Sequence, residues 1–593
     1  MPRRRTRLAW CALLVTLVAP VLGVSGQVAS AAVDEAPIES ADLRFTTSDE
    51  VSLVTTLSGA APIAARPTVV EFTPYGTLGR SYEVSSDYNY LLVQIRGTGD
   101  SDGTFDALGP RSQRDVVEVL RWACRQPWSD GRLSVAGFSA SAIMIFNSLH
   151  QKLPCVKASV LRSGTFELYR DLLVPGGILN LVAGAGVVGL IGAPAILAGP
   201  DRLGRNPISS LEVALGLVGA GLDAGFLHPT LDDFWTERGF RGNANRIPTL
   251  LLDGAFDVEP RGDYQAFQQL RSQGIPAQLQ VVGAHDGAPV GTDFGVRAVG
   301  RWLDRYLRGV RNGVEDEPAV QMLLADGDRE DMLAGEFVRQ DAASWPVPGT
   351  RWAALSFSAD PAGAARSIND GSLTLAPPET ATTQLYPAVA SLVTNTDPNN
   401  VATIGGGPSG QINQLATYVP QLTDMDLSNL TGLTYTTAPL AEPVVAAGPA
   451  SLDLQLSSTS PTTQIWAVVS DVSPDGTAHP ISVGRLSSDF PGVVEDKSLY
   501  SRGELVQPYG DYSTSSSALP GEVRSYHVEI WPILNRFKKG HRIQLSLVGQ
   551  SVASRPGLPA INAVVVGGAQ GSRLMFPQLP GSDVRRALTR PAR

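Results

Sequence analysis

Histidine and cysteine are scarce in this sequence, at six and three among 593 residues. No histidine lies at ligand spacing with a cysteine or another histidine, so no metal site is expected, and no cofactor is implied. Charge is sparse as well: 18% of residues are charged against 43% hydrophobic, a balance far from that of disordered chains. No repeat of fixed period is visible. Lys and Arg are outnumbered by Asp and Glu, 47 to 57, and an acidic surface argues against nucleic acid and anionic membranes as partners. The length leaves room for several units, each with a sizeable core.

What is present begins with a leader. Arg3, Arg4, Arg5 and Arg7 precede an uncharged apolar run over 8–24, and Ala29-Ser30-Ala31 supplies small residues for cleavage. This three-part pattern predicts a signal peptide over 1–32 and hence a secreted or cell-surface protein; an uncleaved anchor helix is the alternative. Removing it takes away four arginines and no acid, which moves the net charge from −10 to −14. Cys124 and Cys155 then remain, and an even count in an exported chain favours a disulfide between them.

Short apolar runs over 68–72, 90–95, 133–136, 158–161, 248–252 and 278–282 read as buried strands, with helical spacing over 113–123 and 294–307 between and after them. Strands alternating with helices predict a parallel sheet covered on both faces, an α/β fold. The stretch 163–245 shows helical patterns without a clear strand and interrupts this rhythm. Within it, residues 172–200 carry no charge. Residues 178–197 are long enough to cross a membrane, but Gly184, Gly186, Gly189, Gly192 and Pro194 favour a buried helical hairpin in a cap. Beyond about residue 313 strand alternation and Gly/Pro turns take over, as in a β-sandwich.

The chemistry centres on Gly137-Phe138-Ser139-Ala140-Ser141. It follows a predicted strand and opens a predicted helix, the context of a nucleophile elbow. The sharp turn needs small residues two before and two after the serine; Gly137 meets that need, and Ser141 meets it less well. A serine hydroxyl needs a base. His150 ends the helix that starts at the nucleophile, His228 lies in the insertion, and His479, His527 and His541 lie in the β-rich part. His285 alone follows a predicted core strand and precedes the last helix of the α/β part. The acid belongs one strand earlier, where Asp253 and Asp257 both qualify.

The chain resembles the CocE/NonD hydrolases: bacterial cocaine esterases, α-amino acid ester hydrolases and X-prolyl dipeptidyl-peptidases. The residues that carry the resemblance span most of the sequence. Thr73-Pro74-Tyr75-Gly76 resembles the oxyanion tyrosine segment, and Arg96-Gly97-Thr98-Gly99-Asp100-Ser101-Asp102-Gly103 the R-G-x-G-x-S-x-G loop. Gln126-Pro127-Trp128-Ser129 is similar to the segment before the nucleophile strand. Pro175-Gly176-Gly177, His228-Pro229 and Asp232-Asp233-Phe234-Trp235 resemble the cap. Gly254-Ala255-Phe256-Asp257 resembles the acid motif. Leu433-Thr434-Tyr435-Thr436-Thr437 and Lys539-Gly540-His541-Arg542-Ile543 are similar to the C-terminal jelly roll.

The resemblance implies an α/β-hydrolase fold in two parts, 33–162 and 246–312, with a helical cap over 163–245 and a jelly roll over 313–593. It selects Asp257 as the triad acid beside Ser139 and His285. It makes Tyr75 an oxyanion donor together with the N–H of Ala140. It implies acyl transfer to water, on a small ester or a short peptide. The sequence departs from the family at Ala140, where a tyrosine is usual, at Ser141, where glycine is usual, and at Gly283-Ala284, where an aromatic residue lies near the histidine. Glu259, two residues past the acid, and Glu167, early in the cap, are candidates to pair with a substrate amine; the next family acid falls on Pro260. A non-catalytic binding protein on a hydrolase scaffold is the remote alternative, and the joint presence of Ser139, Asp257, His285 and Tyr75 speaks against it.

Overall fold

The computed structural model describes residues 37–76, 84–186, 191–192, 195, 202, 204, 207–255, 260–282, 296–327, 336–365, 367, 369–389, 425–551 and 554–589. The expected signal peptide, Asp257, Glu259, His285 and most of the uncharged run over 187–200 lie outside them.

Six of the strands expected from apolar runs form the centre of the first sheet: β3 (Arg66–Thr73), β4 (Asn89–Gln94), β5 (Ser129–Phe138), β6 (Val156–Arg162), β7 (Thr249–Gly254) and β8 (Ala277–Val282). Consecutive neighbours in the order β4-β3-β5-β6-β7-β8 are all parallel. Val70, Leu91, Leu133, Val135, Val160, Leu251 and Leu279 are fully buried, as expected where helices cover both faces. The covering helices include α1 (Pro110–Ala123) and α2 (Ala140–Ser148). All nine residues of α2 are buried, including Ser141, Asn147 and Ser148, so its apolar residues are not confined to one stripe.

A hairpin of β1 (Ile38–Thr46) and β2 (Ser52–Ala60) is added antiparallel to β4. At the far edge β9 (Val320–Leu324) joins β8 in parallel, and β10 (Val338–Ala342) pairs antiparallel with β9. The sheets therefore do not divide at 312/313, where the chain was expected to change texture. Alternation identifies a strand but not its sheet, and two strands beyond that point complete the α/β layer.

Among the described residues the second sheet has eleven strands, from Arg351–Ser358 to Arg573–Gln578. The long strand Val444–Ser458 pairs with Arg524–Phe537, with Ala560–Val566 and with Arg573–Gln578. The last pairing curls the sheet back on itself in a jelly-roll-like sandwich.

Between β6 and β7 the named elements among the described residues are helical: α3 (Leu181–Gly186), α4 (Pro207–Leu222) and α5 (Asp233–Thr236), with shorter helical turns between them. No helix of the described residues is long and apolar enough to cross a membrane. This cap leans on the jelly roll, where a Cβ on Gly176 would stand 2.1 Å from the Arg485 carbonyl oxygen. After β7, helix α6 (Pro260–Ser272) covers the sheet, and α7 (Val296–Leu303) follows β8.

Cys124 and Cys155 form a disulfide across a separation of 31 residues, with Cα atoms 6.1 Å apart. It ties the end of α1 to the start of β6, one on each side of β5. A loop of that length corresponds to roughly 3–4 kcal/mol in the chain-entropy account.

Candidate active site

β5 ends at Phe138 and α2 begins at Ala140, so one residue makes the whole turn. That residue is Ser139, with φ +52° and ψ −123°, a conformation side-chain-bearing residues avoid. The neighbours fix it there. Its N–H donates to the Arg162 carbonyl at 2.9 Å, and its carbonyl accepts from Ile143 N–H at 2.9 Å. Gly137 leaves the space the turn needs, since a Cβ would stand 2.4 Å from the Ser141 carbonyl carbon and 2.5 Å from Ala142 N. Ser141 is accommodated with its Cβ, but its hydroxyl is buried without a hydrogen-bond partner among the described residues. The expectation that position 141 fits less well is thus seen as an unsatisfied Oγ rather than a clash.

The N-terminus of α2 faces the loop after β3. Ala140 N–H donates to the Tyr75 phenol oxygen at 3.1 Å. The two groups expected at the oxyanion are therefore in direct contact. Tyr75 is held by its own backbone, whose N–H donates to Thr73 Oγ1 at 3.0 Å.

The R-G-x-G-x-S-x-G segment buttresses this tyrosine. A Cβ on Gly99 would stand 2.9 Å from Gly76 Cα and 2.0 Å from Gln94 Oε1, so only glycine lets the loop lie so close behind Tyr75. Gln94 Oε1 accepts from Asp100 N–H at 2.7 Å, and Ser101 Oγ donates to the Gln94 carbonyl at 2.7 Å. Arg96, buried at 5% exposure, bonds Asp115 through Nη2 at 2.9 Å and Asp49 at 3.1 Å. Burial pushes the Asp115 carboxyl up against the pull of Arg96, while Arg111 and Arg96 hold Asp49 well below the usual carboxylate range. Asp49 and Asp115 support the site without having stood out in the sequence, because each is a lone polar residue far from the motif it serves.

Parallel register brings the C-terminal ends of β5, β6, β7 and β8 to the same edge. Phe138 is level with Arg162, Arg162 with Leu252, and Leu252 with Gln280. β7 and β8 end at the same edge of the sheet as β5, whose last residue precedes Ser139, and Asp257 and His285 follow them in the sequence, outside the described residues. Asp253, the competing acid, is still inside β7. It is 1% exposed, and its Oδ1 accepts from Gly254 N–H at 2.7 Å. Its charge adds to burial in pushing the Tyr264 phenol up.

Glu167 sits in a charged junction. Its carboxylate is 2.9 Å from Arg170 Nε and accepts from the Tyr509 phenol. Next to it Asp171, fully buried, meets Arg261 at 2.7 Å, and Arg261 meets Glu529 of the jelly roll at 2.8 Å. Burial pushes the Asp171 carboxyl up to about 6 despite Arg261. Arg261 is the second residue of α6, just past the segment that holds Asp257 and Glu259.

Among the described residues no group of three His, Cys, Asp or Glu side chains is placed to hold a metal ion.

Residues 59–285 match the X-Pro dipeptidyl-peptidase (S15 family) model, and residues 312–554 match the X-Pro dipeptidyl-peptidase C-terminal non-catalytic domain. Cocaine esterase from a Rhodococcus species is 25% identical over 487 residues, which is 74% of this chain and 79% of that one. The fold is similar to a CocE/NonD family hydrolase from Staphylococcus aureus (TM-score 0.69, 17% identity, covering 91% of this chain and 93% of that one). It is also similar to an α-amino acid ester hydrolase (TM-score 0.68, 17% identity, covering 94% of this chain and all of the other). With a strained serine between β5 and α2 and the two matched models covering both halves, the chain belongs to the CocE/NonD family of serine hydrolases.

Proposed function

We propose that this is an exported esterase that works through a Ser139–His285–Asp257 triad. The observation that carries the proposal is the elbow: Ser139 at φ +52°, with Ala140 N–H and the Tyr75 hydroxyl converging at 3.1 Å beside it. Ser139 Oγ attacks the substrate carbonyl and passes its proton to His285. The carbonyl oxygen takes up the negative charge between Tyr75 O–H and Ala140 N–H. The intermediate collapses, and the leaving alcohol receives the proton from His285. Water, deprotonated by His285, then releases the acid and restores Ser139. Asp257 holds the imidazole in its working tautomer. Activity falls below about pH 6.5 as the histidine base protonates.

An ester is favoured over an amide because the Rhodococcus relative, which spans three quarters of this chain, is named for an ester. Reading the substrate as an α-amino ester or a dipeptide gains no support from Glu167, which Arg170 and Tyr509 already occupy; it then rests on Glu259 alone. The test is labelling by a fluorophosphonate probe, followed by turnover of two aryl esters that differ only in an α-amino group. Labelling of Ser139 and equal kcat/KM for the pair support a plain carboxylesterase. A preference for the amino ester that Glu259→Gln removes would establish the amine reading instead. Absence of labelling would overturn the esterase itself.

A further inference from the structure

Helix α4 of the cap is mounted with its polarity reversed. Its small residues face the protein: Ser209, Val213, Gly216 and Ala220 are buried. Ser209 Oγ donates to Asp102 Oδ1 at 2.7 Å, and a Cβ on Gly216 would stand 2.6 Å from Thr104 Cγ2. The helix thus lies flat on the loop that buttresses Tyr75. Its bulky residues face outward: Ile208, Leu211, Leu215, Val218 and Leu222 are 50 to 70% exposed, spaced three and four apart along one stripe. Phe226 and Leu227, each 65% exposed, extend it past the helix end. At about 100 Å² per side chain the stripe comes to on the order of 700 Å², above the roughly 300–600 Å² of the largest patch on an ordinary monomer.

We infer that this ridge seats the cap on the acyl-chain region of an uncharged lipid surface. The chemistry of the stripe selects that occupant. Residues 207–227 contain no Lys and no Arg, and their two charges, Glu212 and Asp223, are acidic. Attraction to an anionic surface is therefore absent, whereas helices that read anionic lipid carry cations. The seven exposed side chains offer no hydrogen-bond donor or acceptor, and the segment has no Tyr, Trp, Met or Arg, the residues that protein–protein interfaces enrich. A ridge of aliphatic side chains with one Phe, fixed on a folded support, matches hydrocarbon. The ridge lies on the outer face of the helix whose inner face covers the loop behind Tyr75.

The test is flotation of the full chain with phosphatidylcholine vesicles, alone or mixed with phosphatidylglycerol. The expected result is binding to phosphatidylcholine that anionic lipid does not raise and that persists from about 0.1 to about 1 M salt. The variant Leu211→Gln/Leu215→Gln/Val218→Gln is expected to bind at least about tenfold more weakly, a loss of about 1.4 kcal/mol or more. Its thermal midpoint and its turnover of a water-soluble acetate ester stay those of the parent. Ser139→Ala protein is expected to float as the parent does, which separates this surface from the esterase reading. Failure of the parent to float, or binding that needs anionic lipid and disappears in salt, would overturn the inference. So would sedimentation of the parent as a dimer that the triple variant converts to monomer, since the ridge then belongs to a second copy.

Discussion

The Ser139 elbow and the Asp171–Arg261–Glu529 junction handle difficult groups in opposite ways. At the elbow a residue is bent to φ +52°, and the next residue's N–H, that of Ala140, meets the Tyr75 phenol oxygen at 3.1 Å. At the junction opposite charges close on each other, with Arg261 2.7 Å from Asp171 and 2.8 Å from Glu529, and α6, the cap and the jelly roll are clamped together. The elbow keeps backbone strain at the residue proposed as the nucleophile. The junction holds its partners already, so its acids have no call on a substrate. Glu167 belongs with the second class, although by position in the sequence it resembled the first.

The sharpest way to break the comparison is at the nucleophile. Ser139→Ala is expected to lower turnover of an aryl ester by at least about 10⁴-fold, since members of such a unit each remove nearly all activity above background. Unfolding by urea should keep its midpoint. Retention of activity within tenfold would move the chemistry away from the elbow.

At the junction the loss should appear in stability rather than chemistry. Arg261→Met removes the shared cation, leaves the Asp171 carboxylate buried without its counter-charge and takes the cation from the half-buried Glu529, which costs about 3–5 kcal/mol. Adding Asp171→Asn and Glu529→Gln is expected to restore most of it in urea unfolding, because no charge is then left without a partner. Burial also sets a pH signature. The Asp171 carboxyl titrates near 6 in the folded chain and near 3.9 when unfolded, so the folded state binds its proton more tightly. Its contribution to stability is full below about pH 4 and lost as pH rises through 6, and Asp171→Asn should flatten that slope.

Tyr75→Phe probes the elbow more gently. The ring stays and one donor goes, so kcat is expected to fall about 10²- to 10³-fold with KM and stability little changed. A fall in KM together with kcat, or no change in either, would remove Tyr75 from the oxyanion site.

The two regions also differ in how far the sequence reveals them. The strands β3 to β8 were legible because both faces are buried and each is a short apolar run. The elbow was legible because its parts are five consecutive residues. Strand β1 was not, since it is an exposed edge with little apolar pattern. The membership of β9 and β10 in the first sheet was not, since alternation carries no information about the neighbour. The junction was hidden for a related reason. Arg170 is three residues from Glu167 and in plain view, but Tyr509 is 342 residues away and Glu529 is 268 from Arg261. Contacts over such separations are set by how the cap, α6 and the jelly roll dock, which no local pattern encodes.

The smallest expected effect concerns Ser141, where the two classes touch. Its hydroxyl lies inside the elbow yet is buried without a partner among the described residues, so it has the cost of an unsatisfied group and none of the chemistry. Leaving such a group buried costs about 1–3 kcal/mol. Ser141→Ala keeps the Cβ the turn already accommodates and removes only the hydroxyl, so it is expected to stabilise the chain by about 1 kcal/mol with kcat unchanged. Ser141→Gly removes the same hydroxyl but frees the backbone within the first turn of α2, which costs roughly 0.5–1 kcal/mol, so its net change is expected near zero. Gly137→Ala is the contrast: its Cβ would enter the space of the Ser141 carbonyl at 2.4 Å, and the turn cannot keep its shape. If Ser141→Ala proves destabilising in urea, the hydroxyl has a partner and position 141 belongs to the working part of the elbow.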